Sequence, residues 1–241
     1  MMRFGLIGHP LAGSGSPALF REAYQDRWPY DLIEGVDFEK SWRTFLSDYQ
    51  AINITAPFKE AAYARLLEDG GSAGPECESI GAINIAVKTA DGIVGRNSDF
   101  LGVRQILQQE GFGQGQVALV AGYGGAGKAA AAAAQSIGMD AVVCNRSPRQ
   151  LPGGQMTRPL AELPILAAVT DILIYTLPAA IPEISFLLQD EGPAAVPVVL
   201  EANYRTPCLA ETPAKYISGS RWLLEQARTG YSLMTSQTPK L

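Results

Sequence analysis

The sequence predicts an α/β protein of two successive parts, the second of which is built on a doubly wound parallel sheet. Short apolar runs alternate with amphipathic segments along the whole chain of 241 residues, a pattern typical of α/β architecture. From Val117 onward the order becomes strand, glycine loop, alanine-rich helix and strand, which is the order of a parallel doubly wound sheet. A chain of this length accommodates two modest domains.

The elements follow in order along the chain. Residues 4–8 are predicted to form a buried strand, and a helix is predicted from Ser16 to about residue 24, with Ser16 as its cap and Pro17 in its first turn. In the rest of the first part, strands are predicted at residues 30–36 and 51–55, and helices at 38–47, 59–68 and 100–109. Residues 82–95 are predicted to form a hairpin around Asp91-Gly92. In the second part we predict strands at 117–121, 141–144, 172–175 and 198–201, and a last helix at 219–231.

Composition and charge exclude several classes of protein. The net charge of −5 argues against a general nucleic-acid binder, which normally carries a basic surplus. No stretch approaches the roughly 18 apolar residues of a membrane span, and the N-terminus lacks the pattern of a signal peptide, so we expect no membrane partner and a cytoplasmic protein.

The cysteines and the single histidine restrict the chemistry further. Cys77, Cys144 and Cys208 are odd in number and far apart, so we expect neither a disulfide framework nor a metal site. His9 is the one histidine of the chain, which excludes histidine clusters and any Ser–His pair away from it. We therefore expect proton chemistry from Lys, Asp, Glu, Tyr or water.

The glycine loop after residue 121 predicts dinucleotide binding in a Rossmann-like sheet. It follows an apolar strand and precedes a helix, which is the context that the pattern GxGxxG requires. Gly122 permits the tight turn, Gly124 lets the backbone approach a pyrophosphate at the helix N-terminus, and Gly127 allows close contact between helix and strand. The predicted cofactor-binding residues of this loop are Gly122, Gly124, Gly125, Ala126 and Gly127.

The segment after the second strand of this part favours NADP over NAD. NAD sites usually carry an acid about 20 residues beyond the loop, for the ribose 2′-hydroxyl. This sequence has no acid there, and Arg146 is the main candidate to pair with a 2′-phosphate. Asn145, Ser147 and Arg149 are predicted to support it, although Arg149 fits a solvated surface position equally well.

Two segments of the first part carry candidate substrate groups. Ser14 and Ser16 lie where a strand ends and a helix begins, and their hydroxyls beside helix N–H groups suit a carboxylate; capping by Ser16 is the alternative. Lys59 lies just beyond a strand end, the usual place for chemistry in such folds.

Taken together and in this order, the motifs of the chain resemble those of the shikimate dehydrogenase family. The resemblance spans nearly the whole sequence. The matching segments are Ser14-Gly-Ser-Pro17, Asn53-Ile-Thr-Ala-Pro-Phe-Lys59, Gly81-Ala-Ile-Asn84, Asn97-Ser-Asp99, the glycine loop, Asn145-Arg-Ser147, Glu201-Ala-Asn-Tyr204 with Thr206-Pro207, and a last helix containing Gln226.

The resemblance implies a two-domain enzyme that reversibly reduces 3-dehydroshikimate to shikimate with NADPH in aromatic amino-acid (chorismate) biosynthesis. It implies a shikimate-binding catalytic domain at residues 1–100, an NADP-binding Rossmann domain at 101–217, and a C-terminal helix at 218–241 that packs back on the first domain. Lys59 and Asp99 match the family's catalytic pair. The positions that match substrate-binding residues are Ser14, Ser16, Thr55, Asn84, Tyr204 and Gln226.

Several positions depart from the family pattern. His9 and Gly13 stand where Asn and His are frequent, and Glu201 stands where Asp is usual. Tyr175 is bulky for its position near the nicotinamide, where it is expected to alter the cofactor pocket, and Arg221 replaces a frequent glycine. These departures leave two alternatives open: a shikimate/quinate dehydrogenase with relaxed substrate or cofactor use, and a catalytically idle NADP-binding regulatory protein. The expected partners are a small-molecule substrate and, at most, a second copy in a homodimer.

Overall fold

The computed structural model describes residues 2–188 and 196–241, and the chain divides into two compact units. The first unit comprises Met1–Ser98 and Gln226–Leu241, and the second comprises Asp99–Glu225. The chain therefore leaves the first unit once and returns to it within its last helix. In the described part of the chain, no helix is both long and apolar enough to cross a membrane.

The first unit is built on one mixed sheet. Its strands are β1 (Phe4–Gly8), β2 (Tyr30–Glu34), β3 (Ala51–Ile54), β4 (Ser72–Ala73), β5 (Ile85–Thr89) and β6 (Gly92–Arg96). Its helices before residue 98 are α1 (Ser16–Tyr24), α2 (Phe38–Asp48), α3 (Lys59–Glu68) and α4 (Pro75–Ile80). The strand order is β2-β1-β3-β5-β6-β4, with β1 parallel to β2 and β3, and β5 antiparallel to β3 and β6.

The two faces of this sheet bury separate apolar clusters. Phe4 and Ile7 of β1 point to opposite faces because side chains alternate along a strand. Phe4 packs in a cluster with Phe20 of α1, and Ile7 packs in a cluster with Trp42 of α2. The sheet therefore lies between helical layers, which fixes its strands and the loops at their ends.

The second unit is built on a parallel sheet. Its strands are β7 (Val117–Ala121), β8 (Asp140–Asn145), β9 (Arg158–Pro159), β10 (Ile172–Tyr175), β11 (Val198–Glu201) and β12 (Lys215–Ile217). The α-helices from residue 98 onward are α5 (Ser98–Gln109), α6 (Gly125–Ser136), α7 (Leu163–Ala167) and α8 (Gly219–Thr235). The strand order is β12-β11-β10-β7-β8-β9 and every described pair is parallel. The chain goes from β7 to β8 on one side and later to β10 on the other, so the order reverses at β7, where ligands bind in such sheets.

The predicted α/β fold class, with a doubly wound second sheet and a last helix that returns to the first unit, is confirmed. The predicted position of the hairpin turn is wrong. Thr89 and Gly92 are paired across β5 and β6, so the turn is Ala90-Asp91, and Gly92 already belongs to β6 with a φ of +123°. The roles predicted for residues 1–100, 101–217 and 218–241 remain predictions.

Candidate active site

One edge of the first sheet collects loops from three strands. The backbone N–H of Thr55 donates to the carbonyl of Ile7 at 2.8 Å, and that of Ile54 donates to the carbonyl of Asn84 at 2.8 Å. The carboxyl ends of β1 and β3 and the amino end of β5 therefore meet. The loops and helix starts at this edge carry five of the residues predicted from the sequence, namely Ser14, Ser16, Thr55, Lys59 and Asn84.

Gly8 allows the first two of these loops to approach each other closely. A Cβ atom at Gly8 would lie 2.3 Å from Cγ2 of Thr55 and 2.7 Å from Cδ2 of Leu11. Glu34 at the end of β2 holds the start of the same loop, because its Oε1 accepts from the backbone N–H of Leu11 at 3.0 Å and lies 3.6 Å from Nδ1 of His9. The histidine thus stands beside a carboxylate of its own unit.

The hydroxyl of Ser16 is not used to cap α1, so this predicted role is wrong. The N-cap residue is Gly15, which has no side chain to cap the helix, and Ser16 itself is the first helical residue. The first helical N–H groups have no intrahelical partner and carry a partial positive charge. Ser14 Oγ accepts from the backbone N–H of Ser16 at 3.4 Å, a long contact that leaves the hydroxyl proton of Ser14 available.

Lys59 is the first residue of α3 and is half-buried. A cation at a helix N-terminus meets the positive end of the macrodipole, which is unfavourable for the helix. The position of this lysine is therefore not explained by helix stability. Its backbone carbonyl accepts from the N–H of Ile83 at 3.1 Å, which ties the start of α3 to the segment that carries Asn84.

Asn84 is buried and fixes the turn that leads into α5. Its Oδ1 accepts from the backbone N–H of Ser98 at 2.7 Å, and its Nδ2 donates to Oγ of Ser98 at 3.1 Å. Because the carboxamide has two N–H groups, one remains for a ligand. Asp99 follows directly, is buried and lies in the first turn of α5, where the helix dipole favours a carboxylate.

An ion pair between the buried Glu76 and the half-buried Arg96 supports this turn. Oε1 of Glu76 accepts from Nε of Arg96 at 2.7 Å and from the backbone N–H of Asn97 at 3.3 Å. Nδ2 of Asn97 donates to the carbonyl of Ala82 at 3.1 Å. The backbone that carries Asn84 and the backbone that precedes Asp99 are therefore held in one arrangement. Neither Glu76 nor Arg96 was predicted as part of the site, and nothing in the local sequence marks this pair.

The glycine loop of the second unit has the geometry that its pattern predicts. A Cβ atom at Gly127 would lie 2.0 Å from the carbonyl oxygen of Gly122, so only glycine allows α6 to pack this close to β7. Gly122 has a φ of +97°, which glycine adopts without strain. Gly124, the N-cap residue of α6, faces open space, and no side chain caps the helix. Open space beside free helix N–H groups fits the pyrophosphate of a dinucleotide.

The segment after β8 is tied to this loop through Asn145. Its Oδ1 accepts from the backbone N–H of Tyr123 at 3.1 Å, and its Nδ2 donates to the carbonyl of Ser147 at 2.9 Å. Arg146, Ser147 and Arg149 are exposed beyond it. Within residues 2–188 and 196–241 no ion pair is formed by Arg146, and this exposed guanidinium fits a 2′-phosphate.

Thr176 belongs to the same loop cluster and was not among the predicted site residues. Its hydroxyl donates to the carbonyl of Ala121 at 2.8 Å, and a Cβ atom at Gly122 would lie 2.6 Å from its Oγ1. Thr176 therefore links the end of β10 to the end of β7. Its place directly after a predicted parallel strand is the signal that could have identified it.

Two of the residues that depart from the family pattern, Tyr175 and Glu201, are buried in the second unit. Tyr175 is 0% exposed, packs in the apolar cluster, and donates to the carbonyl of Ala179 at 2.6 Å. Burial raises the pKa of its hydroxyl. The side chain of Tyr175 therefore packs inside the second unit, and its effect on a cofactor pocket stays a prediction. Glu201 accepts from the N–H of Cys208 at 2.8 Å and from the hydroxyl of Tyr216 at 2.8 Å, and burial raises the pKa of the Cys208 thiol to about 12.

Arg221 joins the start of α8 to the end of α5. Its guanidinium donates to Glu110 at 2.5 Å and to Oε1 of Gln109 at 2.8 Å, and Lys215 pairs with the same glutamate.

Two predicted substrate-binding residues, Tyr204 and Gln226, lie in other parts of the chain. Tyr204 is half-buried in the loop after β11 of the second unit, and Gln226 is half-buried on α8 where the chain re-enters the first unit.

The fold and the glycine loop of the second unit define a dinucleotide-binding α/β protein, and comparisons with known proteins specify the family. The shikimate dehydrogenase (NADP(+)) of Thermus thermophilus is 30% identical over 259 residues, covering 99% of this chain and 94% of that protein. The enzyme of the same name from Acidiphilium cryptum is 31% identical over 255 residues, covering 98% and 91%. No family model matches the chain.

Solved structures agree with these relatives. The shikimate 5-dehydrogenase of Thermus thermophilus in complex with NADP(H) and shikimate superimposes with a TM-score of 0.82 at 28% identity, covering 100% of this chain and 95% of that chain. The shikimate dehydrogenase of Mycobacterium tuberculosis superimposes with a TM-score of 0.78 at 26% identity, with the same coverage. The chain belongs to the shikimate dehydrogenase family.

Proposed function

We propose that the protein catalyses the reversible NADPH-dependent reduction of 3-dehydroshikimate to shikimate. The observation that carries the proposal is the edge of the first sheet, which collects three separate segments of the chain. These segments carry Ser14 and Ser16, Thr55 and Lys59, and Asn84. These side chains offer hydroxyls, an ammonium and a carboxamide, which suit a small acid with several hydroxyl groups. The names and bound ligands of the relatives support the same substrate.

We propose Ser14 and Ser16 as the groups that bind the substrate carboxylate. Their hydroxyls stand beside the uncapped N-terminus of α1, where the helix dipole favours an anion. Thr55 and Asn84 are proposed to hydrogen-bond the ring hydroxyls, together with Gln226. Tyr204 is proposed to bind the substrate, because it matches a substrate-binding position of the family.

Bound at the glycine loop, NADPH would supply the hydride for reduction and NADP+ would accept it for oxidation. The oxygen on the reacting carbon must then gain a proton in reduction and lose one in oxidation. Lys59 gives its proton to the developing alkoxide oxygen during reduction and removes it during oxidation. The ammonium also stabilises the negative charge on that oxygen. Asp99, the second member of the proposed catalytic pair, is proposed to accept a hydrogen bond from a hydroxyl of the substrate. Both assignments are proposals that rest on the resemblance and on the positions of the two residues.

The cofactor assignment rests on the second unit. The turn over the pyrophosphate is formed by Gly122, Gly124, Gly125, Ala126 and Gly127. Asn145 ends β8, and Arg146, Ser147 and Arg149 follow it. Arg146 is the residue that selects NADP, because its charge pairs with the 2′-phosphate that NAD lacks.

A spectrophotometric assay of four combinations tests the proposal. Shikimate or quinate is supplied with NADP or NAD, and reduced cofactor is measured by its absorbance. We expect shikimate with NADP to give the highest kcat/KM of the four. Absence of turnover in all four would refute the enzymatic function. Quinate turnover at a comparable kcat/KM would instead assign a shikimate/quinate dehydrogenase.

A further inference from the structure

A tyrosine lies directly behind the loops of the proposed carboxylate site. Tyr30 is the first residue of β2, and its hydroxyl donates to Oδ1 of Asn53 at 2.8 Å. Asn53 lies on β3, two residues before Thr55. The ring of Tyr30 packs on Phe20 with a centroid distance of 4.7 Å and faces Tyr231 at 6.4 Å. An aromatic cluster therefore fixes the position of the hydroxyl.

The direction of this hydrogen bond determines the orientation of the Asn53 carboxamide. A carboxamide oxygen only accepts, so the phenol must be the donor. With Oδ1 turned to Tyr30, the two N–H groups of Asn53 point away from it. Burial raises the pKa of Tyr30 well above its ordinary value, which keeps the phenol protonated and able to donate at neutral pH.

Ser16 is held by the same cluster. Its side chain lies beside the hydroxyl of Tyr30, and its carbonyl accepts from the hydroxyl of Tyr231 at 2.9 Å. Since the proton of Tyr30 is donated to Asn53, the phenol oxygen faces Ser16 as an acceptor. Tyr30 thus contacts residues on two different segments, one after β1 and one on β3.

We propose that Tyr30 is a positioning residue for the substrate carboxylate: it fixes the Asn53 carboxamide and the Ser16 hydroxyl relative to each other. This inference rests on the proposed function. Tyr30 acts through its two neighbours and does not itself bind the substrate. Pre-orientation of such groups lowers the ordering cost of binding, so its loss weakens affinity for the anion selectively.

The variant Tyr30→Phe tests this role, with Tyr24→Phe as the matched control. Tyr24 lies in the same aromatic cluster, but its hydroxyl is bonded to Oγ1 of Thr235 at 2.7 Å, away from Ser16 and Asn53. For Tyr30→Phe we expect the KM for shikimate and the calorimetric Kd to rise about tenfold, with the KM for NADP unchanged. For Tyr24→Phe we expect all three values to stay at the wild-type level, while both variants lose similar thermal stability.

A double-mutant cycle separates positioning from general stability. In an Asn53→Ala background we expect Tyr30→Phe to raise the Kd for shikimate clearly less than it does in the wild type, because the two residues act as a unit. An unchanged Kd in Tyr30→Phe, or full additivity in the cycle, overturns the inference. If wild-type protein neither binds nor oxidises shikimate, the proposed function itself has failed, and the two failures are thereby distinguished.

Discussion

At the scale of single residues, Arg146 is the side chain on which the choice of cofactor depends. It stands exposed one residue beyond β8, whereas Arg158 on the neighbouring strand is paired with Glu162 at 2.5 Å. A guanidinium outside any ion pair loses no carboxylate partner when it binds a phosphate. It therefore contributes its full charge-assisted hydrogen bonds to a 2′-phosphate.

We predict that Arg146→Ala raises the KM for NADP about 10- to 100-fold and leaves the KM for NAD nearly unchanged, since one charge-assisted contact contributes about 1.5–3 kcal/mol. Steady-state kinetics with each cofactor measure the difference. Arg158→Ala is the control and should affect the two constants equally. An equal rise for both cofactors in Arg146→Ala would contradict the assignment.

Ser16 and Tyr175 show what residue type alone does not determine. A serine before a proline at a helix start is typical of an N-cap, yet the helix begins at Ser16 and Gly15 takes the cap position. Tyr175 ends a strand beside a predicted ligand loop, and its side chain lies in the core of the second unit. Which face of a strand a terminal side chain takes depends on the packing of neighbouring elements, and the sequence does not contain that information locally.

At the scale of elements, the turn from β7 to α6 uses two of its glycines for different reasons. Gly127 is required by the fold, because a Cβ atom would overlap the carbonyl oxygen of Gly122. Gly124 has a backbone conformation open to other residues, with a φ of −84°, and a Cβ atom there would meet nothing within 4 Å. We therefore propose that the pyrophosphate of the cofactor lies in the open space at Gly124.

We predict that Gly127→Ala destabilises the protein by about 3 kcal/mol through overpacking, whereas Gly124→Ala changes stability by less than about 0.5 kcal/mol. In Gly124→Ala the new methyl group occupies the space of the pyrophosphate, so the Kd for NADP should rise at least about tenfold. Urea unfolding and calorimetry measure the two quantities. Unimpaired NADP binding by Gly124→Ala would contradict the proposed cofactor position.

The contact between α5 and α8 in the second unit predicts a dependence of stability on pH. Hydrogen bonds from Lys215 and Arg221 lower the pKa of Glu110 below its ordinary value of 4.5. A carboxyl group with a lowered pKa in the folded state stabilises the protein at pH values above 4.5, and the contribution is lost as the pH falls through the lowered value.

We therefore expect Arg221→Ala to lower the Tm at pH 7 by about 2–4 °C, the equivalent of about 1 kcal/mol, and to lower it progressively less as the pH falls below 4.5. Arg43→Ala, which removes an exposed arginine of α2, is the control with little effect at either pH. Thermal melts across this range provide the comparison. A difference between Arg221→Ala and wild type that is independent of pH would show that the ion pair does not contribute.

Elements with a clear apolar or periodic pattern follow from the sequence, and short elements without one do not. The strands Val117–Ala121, Ile172–Tyr175 and Val198–Glu201 are apolar runs with clear boundaries, and their predicted limits are confirmed. The helix α4 and the strand β4 were missed, because six and two residues are too few for a periodic pattern. They owe their structure to tertiary contacts, among them those of Glu76 with Arg96 and Asn97.

At the scale of the whole molecule, the site follows from strand order. Ser14, Thr55 and Asn84 lie in three distant segments, and they share one edge because β1, β3 and β5 are neighbours in the sheet. Motifs in the sequence identified these residues through their resemblance to a family. What the sequence did not reveal is the supporting layer, such as Tyr30 behind Ser16, because its members carry no motif and are defined only by their contacts.

We predict that one lysine performs the proton transfer. Lys59 stands at the sheet edge, at a helix start where the dipole disfavours a cation, and we propose that it exchanges the proton of the reacting hydroxyl. Lys40, an exposed lysine of α2, provides a matched control.

Oxidation of shikimate by NADP in wild type, Lys59→Ala and Lys40→Ala, followed by the appearance of NADPH, tests this claim most directly. We predict turnover in the wild type, an unchanged kcat in Lys40→Ala, and a kcat lower by about 10²–10⁴-fold in Lys59→Ala. A Lys59→Ala variant that turns over shikimate at the wild-type rate would contradict the account.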